Sequence, residues 1–416
     1  MADIEVRPIE EGELADYLRC IRTAFFVPAP VDDAVVSFWR ERVGDDLSRR
    51  LAAFAGGALG GTAGAFATEL TVPGGSTIPL AAVTAVTVLP THRRRGLLRQ
   101  MMQVQLNDAV DRGEVAAMLI AAEWPIYGRY GYGLAIEAAS TVLDASHARF
   151  VGRPAGEPDG SLELVGIEEL RTIAPRVFDE HRLSVAGPIT RSDLTWDIGL
   201  GLRVQPGDDP PKGKVAVVHR GPAGAIDGYA VYRPDDRWID NRPRITVDVD
   251  ELIATNDDAY RALWMYLANI DWVRQVKAHV RAVDEPLRLL LEDGRAAVQR
   301  DRSDHMWVRL LDVAGALEAR AYESPVSLVV EVHDDYLGRG GRFALDAGLD
   351  GASATPTTRD ADITVDIAAL GGAYLGGTPL WWFARAGMVE EHTPGALVRL
   401  DAGLRTTHAP WCTTNF

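Results

Sequence analysis

The sequence predicts an α+β fold made of three consecutive units, and three observations predict it. Residues 51–90 consist of short apolar runs divided by Gly, Pro and Ser, the pattern of antiparallel strands joined by tight turns. After Pro90 the spacing becomes helical, with Leu97, Leu98, Met101, Met102, Val104 and Leu106 on one stripe. The same order of strands, a helix after a long strand, and a further strand returns in the middle of the chain. It reads as a diverged repeat, although no residue motif recurs at a fixed period.

The elements follow in order. IEVRPI reads as a strand, residues 11–25 as a helix, and Asp32 to Arg42 as a second helix carrying Phe38 and Trp39. The helix after Pro90 ends near Gly113, and AAMLIAAE is a buried strand. The stretch FVGRPAGEPDGS, rich in Gly and Pro, marks a boundary. Beyond it KVAVVHR, IDGYAVYRP and RITVDVDEL are strands, and Asp257–Ile270 is a helix. VKAHVRAVDEPLRLLLEDGRAAV reads as a strand and then a helix. The last part gives a helix in LLDVAGALEARAY, a strand in SPVSLVVEVHDDYL and a strand leading into a helix in ADITVDIAALGGAYLGG. A helix in PLWWFARAGMVEEH precedes the closing tail. The units are therefore residues 1–150, 151–301 and 302–416.

Bulk properties narrow the function. A chain of 416 residues is long for one core, and 47% apolar with 25% charged residues suits packed domains rather than disorder. No apolar run approaches the ~20 residues that span a bilayer. The start, MADIEVRPIEEGEL, lacks the basic-then-apolar order of a secretory signal. Cys20 and Cys412 are the only cysteines, so neither a disulfide framework nor a Cys-based zinc site is expected. The expectation is a cytoplasmic protein with no metal and no membrane partner. A net charge of −16 argues against nucleic acid. It suits a cationic substrate drawn to a negative cleft, or simply keeps the chain soluble.

The most informative stretch is AAVTAVTVLPTHRRRGLLRQMM, residues 81–102. A strand ends in a turn with Arg93, Arg94, Arg95 and Gly96, and a helix starts there. The first N–H groups of a helix have no internal partner and sit at the positive end of its dipole, which together suit a pyrophosphate. Gly96 permits close backbone approach and the arginines add charge. Val86 and Val88 leave a strand edge for an extended ligand arm. Read alone, three arginines could equally be a solvated basic run. The second stretch, LIAAEWPIYGRYGYGLA, offers Tyr127, Tyr130 and Tyr132, any of which could be a packing aromatic.

The spacing Val86, Val88, Pro90, Arg93, Gly96, Leu98 resembles the acyl-coenzyme A signature of the GNAT acetyltransferase superfamily. THRRRGLLRQMM, IYGRYGYG, the length, the tripartite layout and the terminal aromatic are similar to the Eis (enhanced intracellular survival) acetyltransferases, across essentially the whole chain. The resemblance implies a GNAT domain, a degenerate GNAT-like domain and a sterol-carrier-protein-like third domain. It also implies a homohexamer that acetylates amines, aminoglycosides included, using acetyl-coenzyme A. By the same resemblance Tyr127 is the general acid and the C-terminal carboxylate of Phe416 the general base. Cofactor contacts fall on Val86, Thr87 and Val88, on Arg94, Arg95, Gly96, Leu97, Leu98 and Arg99, and on Ala122 and Glu123. Some members have a serine where this chain has Ala122, so only a backbone contact is expected there.

The chemistry is coherent. A phenol of pKa ~10 is matched to protonating a departing thiolate. A free α-carboxyl of pKa ~3.5 is a weak base unless an apolar site raises it, and Trp411 and Phe416 would supply such surroundings. The reading is an N-acetyltransferase for small cationic, aminoglycoside- or polyamine-like amines. A protein lysine acetyltransferase and a non-catalytic acyl-coenzyme A module are the alternatives. In the middle unit the strand before IATNDDAYRALWMYL meets no Arg-and-Gly turn, and Asp257 and Asp258 would repel pyrophosphate, so this unit is expected to be a scaffold. The third unit is read as an ordinary core rather than a lipid cavity, and His92 as a solvated turn residue.

Overall fold

The computed structural model describes residues 4–27, 30–44, 46–152, 159–207, 213–348 and 351–416. The boundary stretch predicted at 150–161 lies partly outside them. The first unit contains β1 (Ile4–Pro8), α1 (Leu14–Ala24), α2 (Asp33–Val43), β2 (Arg50–Ala55) and β3 (Ala58–Thr71). It continues with β4 (Thr77–Val88), α3 (Leu97–Asp111), β5 (Ala116–Leu119) and β6 (Gly133–Asp144). Local chemistry fixes several of these ends. Asp32 caps α2 by accepting from the Val35 N–H. Gly56 and Gly57, both at positive φ, make the two-residue turn between β2 and β3.

The second unit holds β7 (Ser161–Val165), α4 (Ile167–Arg182), α5 (Asp193–Leu200), β8 (Val215–Arg220) and β9 (Ile226–Pro234). A two-stranded ribbon of β10 (Trp238–Ile239) and β11 (Arg242–Pro243) follows. Then come β12 (Ile245–Ala254), α6 (Asp257–Ala268), β13 (Val273–Arg281) and β14 (Ala297–Leu310). Where the sequence predicts a helix after β13, the chain makes two short 3-10 turns, Leu287–Leu290 and Gly294–Ala296, and enters β14. Pro286 and Gly294 bracket too few residues for a stable α-helix. Residue 301 falls inside β14.

The third unit comprises α7 (Val313–Ala319), β15 (Val326–His333), β16 (Gly341–Gly348), β17 (Gly351–Pro356) and β18 (Ile363–Asp366). It closes with α8 (Ile367–Ala373), α9 (Leu380–Arg385), β19 (Val389–Glu391) and α10 (Ala396–Leu404). Its five strands form one sheet, β17-β16-β15-β18-β19. α8 packs so closely on β6 that a Cβ at Gly133 would lie 1.7 Å from the Ala368 carbonyl oxygen.

The first two units share a single twelve-stranded sheet, ordered β1-β2-β3-β4-β5-β14-β6-β13-β12-β9-β8-β7. The order is symmetric about the β14–β6 junction. Its two parallel pairs, β4 with β5 and β12 with β13, each enclose one helix, α3 or α6. The diverged repeat is thus real in topology, with one difference from simple tandem order. β14 pairs with β5 of the first unit, and β6 pairs with β13 of the second. The last strand of each unit has changed places with the other.

Candidate active site

β4 pairs in parallel with β5 only from Leu80 to Ala82, opposite Ala116 to Met118. β5 ends at Leu119, paired along its other edge with β14, and among the described residues the facing edge of β4 from Val83 to Val88 has no strand partner. On its other edge β4 carries a bulge in which Ala85 and Val86 oppose Ala63 of β3, and Ala85 takes a φ of 53°. The bulge re-aims the strand and opens a V between β4 and β5. Thr87 hides its side chain, 2.7 Å from Thr62 Oγ1, so it offers a ligand only its backbone. Val86 and Val88 are half-buried along the same edge.

At the end of that edge the chain turns through Arg93–Arg95, with Arg94 at φ 62°, and Gly96 sits left-handed at φ 92° before α3. No side chain caps α3. The Gln100 N–H bonds the Gly96 carbonyl, which leaves the N–H groups of Leu97, Leu98 and Arg99 at the open, positive end of the helix. The three arginines are exposed, and a Cβ on Gly96 would meet nothing within 4 Å. A free strand edge leading to an uncapped helix start beside three cations fits the pantetheine arm and pyrophosphate of an acyl-coenzyme A. Ala122 and Glu123 are exposed on the loop after β5. His92 lies in the turn as expected, half-buried, with one face of its ring so near Gly60 that a Cβ there would come within 2.6 Å of it.

The three candidate tyrosines separate cleanly. Tyr130 stacks edge-on against Tyr336, ring centres 5.0 Å apart, and Tyr132 is fully buried beside Arg309. Tyr127 packs in the apolar cluster that includes Val83, Val86, Leu97 and Leu98, with its ring 6.0 Å from that of Tyr132. Burial, with the fields of Tyr130 and Glu123, pushes its pKa up to about 12.

On the opposite side, Thr84 and Ala85 border a cavity of about 660 Å³ between the first two units. Phe416 lines it and stacks edge-on against Phe66 of β3, centres 5.6 Å apart. Tyr127 is not among its lining residues, so the predicted acid and base approach β4 from different surroundings. The tail that brings Phe416 here is firmly held. The Trp411 amide donates to the Ala186 carbonyl at 2.9 Å, its indole to the Val280 carbonyl at 2.6 Å, and Arg281 lies over its ring. Arg191 donates to the hydroxyls of Thr413 and Thr414 at 2.8 Å and pairs with Glu251 at 2.7 Å. Burial raises the Glu251 pKa, but Arg191 and hydrogen bonds from Tyr229 and Thr413 outweigh it and hold the carboxylate ionised.

The acidic wall expected for a cationic amine is not what lines this cavity. Its two acidic side chains are already paired, Glu251 with Arg191 and Asp250 with Lys214 and Arg233. The net negative charge resides elsewhere on the surface. Sequence reading also missed the Arg191–Glu251 latch. The one trace of it is Glu251, an acid at the phase of RITVDVDEL that Val247 and Val249 assign to the interior.

The equivalent helix start of the second unit is built differently. Asn256 caps α6 by accepting from the Ala259 N–H, and Asp257 and Asp258 occupy its first turn. Arg281 reaches across to the Leu252 carbonyl at 2.8 Å, occupying one acceptor on β12 beyond its pairing with β13. Among the described residues no group of three or more His, Cys, Asp or Glu is arranged to hold a metal ion, and no helix is long and apolar enough to cross a membrane.

Residues 5–135 match an acetyltransferase (GNAT) domain family, residues 187–310 a second acetyltransferase (GNAT) domain family, and residues 313–413 a sterol carrier protein domain family. A protein of Streptomyces griseus described as an uncharacterized N-acetyltransferase is 40% identical over 412 residues, 98% of this chain and 99% of its own. The N-acetyltransferase Eis of Mycobacterium tuberculosis is 37% identical over 340 residues, 80% of each chain. Among solved structures, Eis1 from Mycobacterium abscessus is 34% identical and superposes with a TM-score of 0.84 over the whole of both chains.

Proposed function

The chain belongs to the Eis family of GNAT N-acetyltransferases, and from that premise we propose that it acetylates a small-molecule amine at the expense of acetyl-coenzyme A. The observation that carries this reading is the free edge of β4, which leads to the uncapped start of α3 on one side and to the Phe416 cavity on the other. Bound acetyl-coenzyme A supplies an activated thioester. The N–H groups of Leu97, Leu98 and Arg99, with Arg94 and Arg95, hold its pyrophosphate. The backbone of Val86, Thr87 and Val88 aligns its arm, and Gly96, Ala122 and Glu123 border it.

Tyr127 is the general acid in this reading. Its phenol stays protonated far above neutrality and holds the proton that the departing thiolate needs. The α-carboxylate of Phe416 accepts the proton of the incoming amine, held at the cavity by Trp411 and by Arg191. An acceptor enclosed in about 660 Å³ between two units favours a small molecule over a lysine on a folded protein. A cationic, aminoglycoside- or polyamine-like amine meets no unpaired acidic side chain there. The second unit serves as scaffold and pocket wall, consistent with its capped α6. The hexamer implied by the family belongs to the same reading. Exposed Trp238–Trp272 and Trp381–Trp382 pairs supply apolar surface for it, and light scattering at six chain masses tests it.

Release of free thiol from acetyl-coenzyme A in the presence of amines tests the proposal. Tyr127→Phe should lose about 10²–10⁴-fold in kcat while still binding acetyl-coenzyme A. Tyr130→Phe or Tyr132→Phe showing that phenotype instead would reassign the acid. A short extension after Phe416 should abolish turnover, and unchanged turnover would remove the carboxylate from the mechanism.

A further inference from the structure

The acceptor cavity contains polar groups that the mechanism above does not use. Tyr17 of α1 is 1% exposed and lines the cavity, and its hydroxyl has no hydrogen-bond partner among the described residues. Arg50, at the start of β2, is 8% exposed and lines the same cavity. Its guanidinium donates to the Ala65 carbonyl, its Nε is unpartnered, and no carboxylate among the described residues pairs with it. Burial lowers its pKa, Tyr17 and the more distant Asp46 oppose that shift, and the positive charges of Arg49 and Arg42 reinforce it. The two groups are neighbours. A Cβ built on Gly64 would lie 3.2 Å from both Tyr17 Oη and Arg50 Nη1, so glycine there keeps their shared corner clear. Arg42 stands at the exposed mouth over the Trp39 ring, also without an ion-pair partner among the described residues.

A buried donor left unpaired costs about 1–3 kcal/mol, more when charged, so such groups persist where something else satisfies them. Two orphaned donors, one of them a cation, lie directly behind the wall of a cavity whose acidic side chains, among the described residues, are already paired. An incoming polycation would meet Arg42 and Arg50 with no free side-chain carboxylate to offset them, only the terminal carboxylate of Phe416 at the other end. An anion would satisfy Arg50 and Tyr17 together, in the charge-assisted geometry that arginine favours.

We propose that this chain selects acceptors bearing an anionic group as well as the amine, an amino acid or amino-carboxylate, with Arg50, Tyr17 and Arg42 receiving the carboxylate. The proposal rests on the acyl-transfer reading above and names the substrate class for that site. It assigns the three side chains to specificity, with the reacting amine left to the Phe416 end of the cavity.

The test compares ε-aminocaproate, hexamethylenediamine and aminohexanol as acceptors in the thiol-release assay on the full chain. The carboxylate should be preferred by kcat/KM about 10- to 100-fold, the range of one charge-assisted hydrogen bond. That ratio should collapse toward one in Arg50→Met, fall several-fold in Tyr17→Phe and Arg42→Gln, and largely survive in Arg50→Lys. Arg42 is exposed and Tyr17→Phe preserves shape, so those two variants decide the matter if Arg50→Met does not fold. Calorimetry with N-acetyl-ε-aminocaproate against N-hexylacetamide reads the same corner without turnover. Equal or better use of the diamine, or a carboxylate preference untouched by all three variants, overturns the proposal. If no amine releases thiol but the acetylated carboxylate still binds more tightly than its neutral analogue, the acyl-transfer reading fails and the anion corner stands.

Discussion

Arg309 sits fully buried between the large sheet and the third unit, where it donates to Asp334 at 2.6 Å. Asp334 also accepts from the backbone N–H groups of Tyr336, Leu337 and Arg339. Burial pushes the Asp334 carboxyl up, and the Arg309 charge with these bonds more than reverses it. Asp334→Asn should therefore cost about 3–5 kcal/mol in chemical denaturation, because it leaves a buried charge without its counter-ion. His181 makes a different kind of prediction. It donates from Nδ1 to the Ala254 carbonyl at 3.0 Å, rests edge-on against Trp411, and burial pushes its pKa down to about 4. The unfolded chain binds that proton near pH 6.5, so the stability contribution is complete above that pH and is lost as pH falls from there toward 4. The loss amounts to about 3 kcal/mol. Urea unfolding at about pH 7.5 and about pH 4.5 should show a smaller acid loss in His181→Phe by that amount.

Elements built from adjacent residues were readable from the sequence, and elements built by distant ones were not. α3 was predicted with its ends because its apolar stripe, its arginines and Gly96 are contiguous, and the structure sets α3 at Leu97–Asp111. Gly96→Ala strains a φ of 92° by roughly 1–2 kcal/mol and projects a methyl group toward the anion end of the helix. It should raise KM for acetyl-coenzyme A more than it lowers kcat. The expected helix in DEPLRLLLEDG became two 3-10 turns because the strand after it, β14, takes up the chain at Ala297. The tail was legible only as an uncharged aromatic run. Its lock consists of Ala186, Val280, Arg191 and Glu251, none of which is near it in sequence. Trp411→Ala should free that tail, lowering kcat roughly 100-fold through misplacement of Phe416 with KM for acetyl-coenzyme A little changed. Equal effects on both constants would point to general unfolding instead.

On the scale of the whole molecule, the exchange of β6 and β14 makes the first two units halves of one object. Leu119 of β5 pairs with Trp307 of β14, and Val308 pairs both with Met118 and with Gly133 of β6. Residues 1–150 on their own would leave the outer edge of β5 unpaired and apolar, the arrangement that templates aggregation. That fragment should elute as aggregates rather than a cooperative monomer, which size-exclusion chromatography and thermal melting can check. The inserted strand also sets a timetable. During synthesis the acetyltransferase unit emerges first, yet its sheet cannot close until Leu310 has left the ribosome, long after β5 appeared. Through that interval the nascent chain is an open-edged intermediate that must be shielded rather than folded, and the rate of translation through the second unit governs how long it stays exposed.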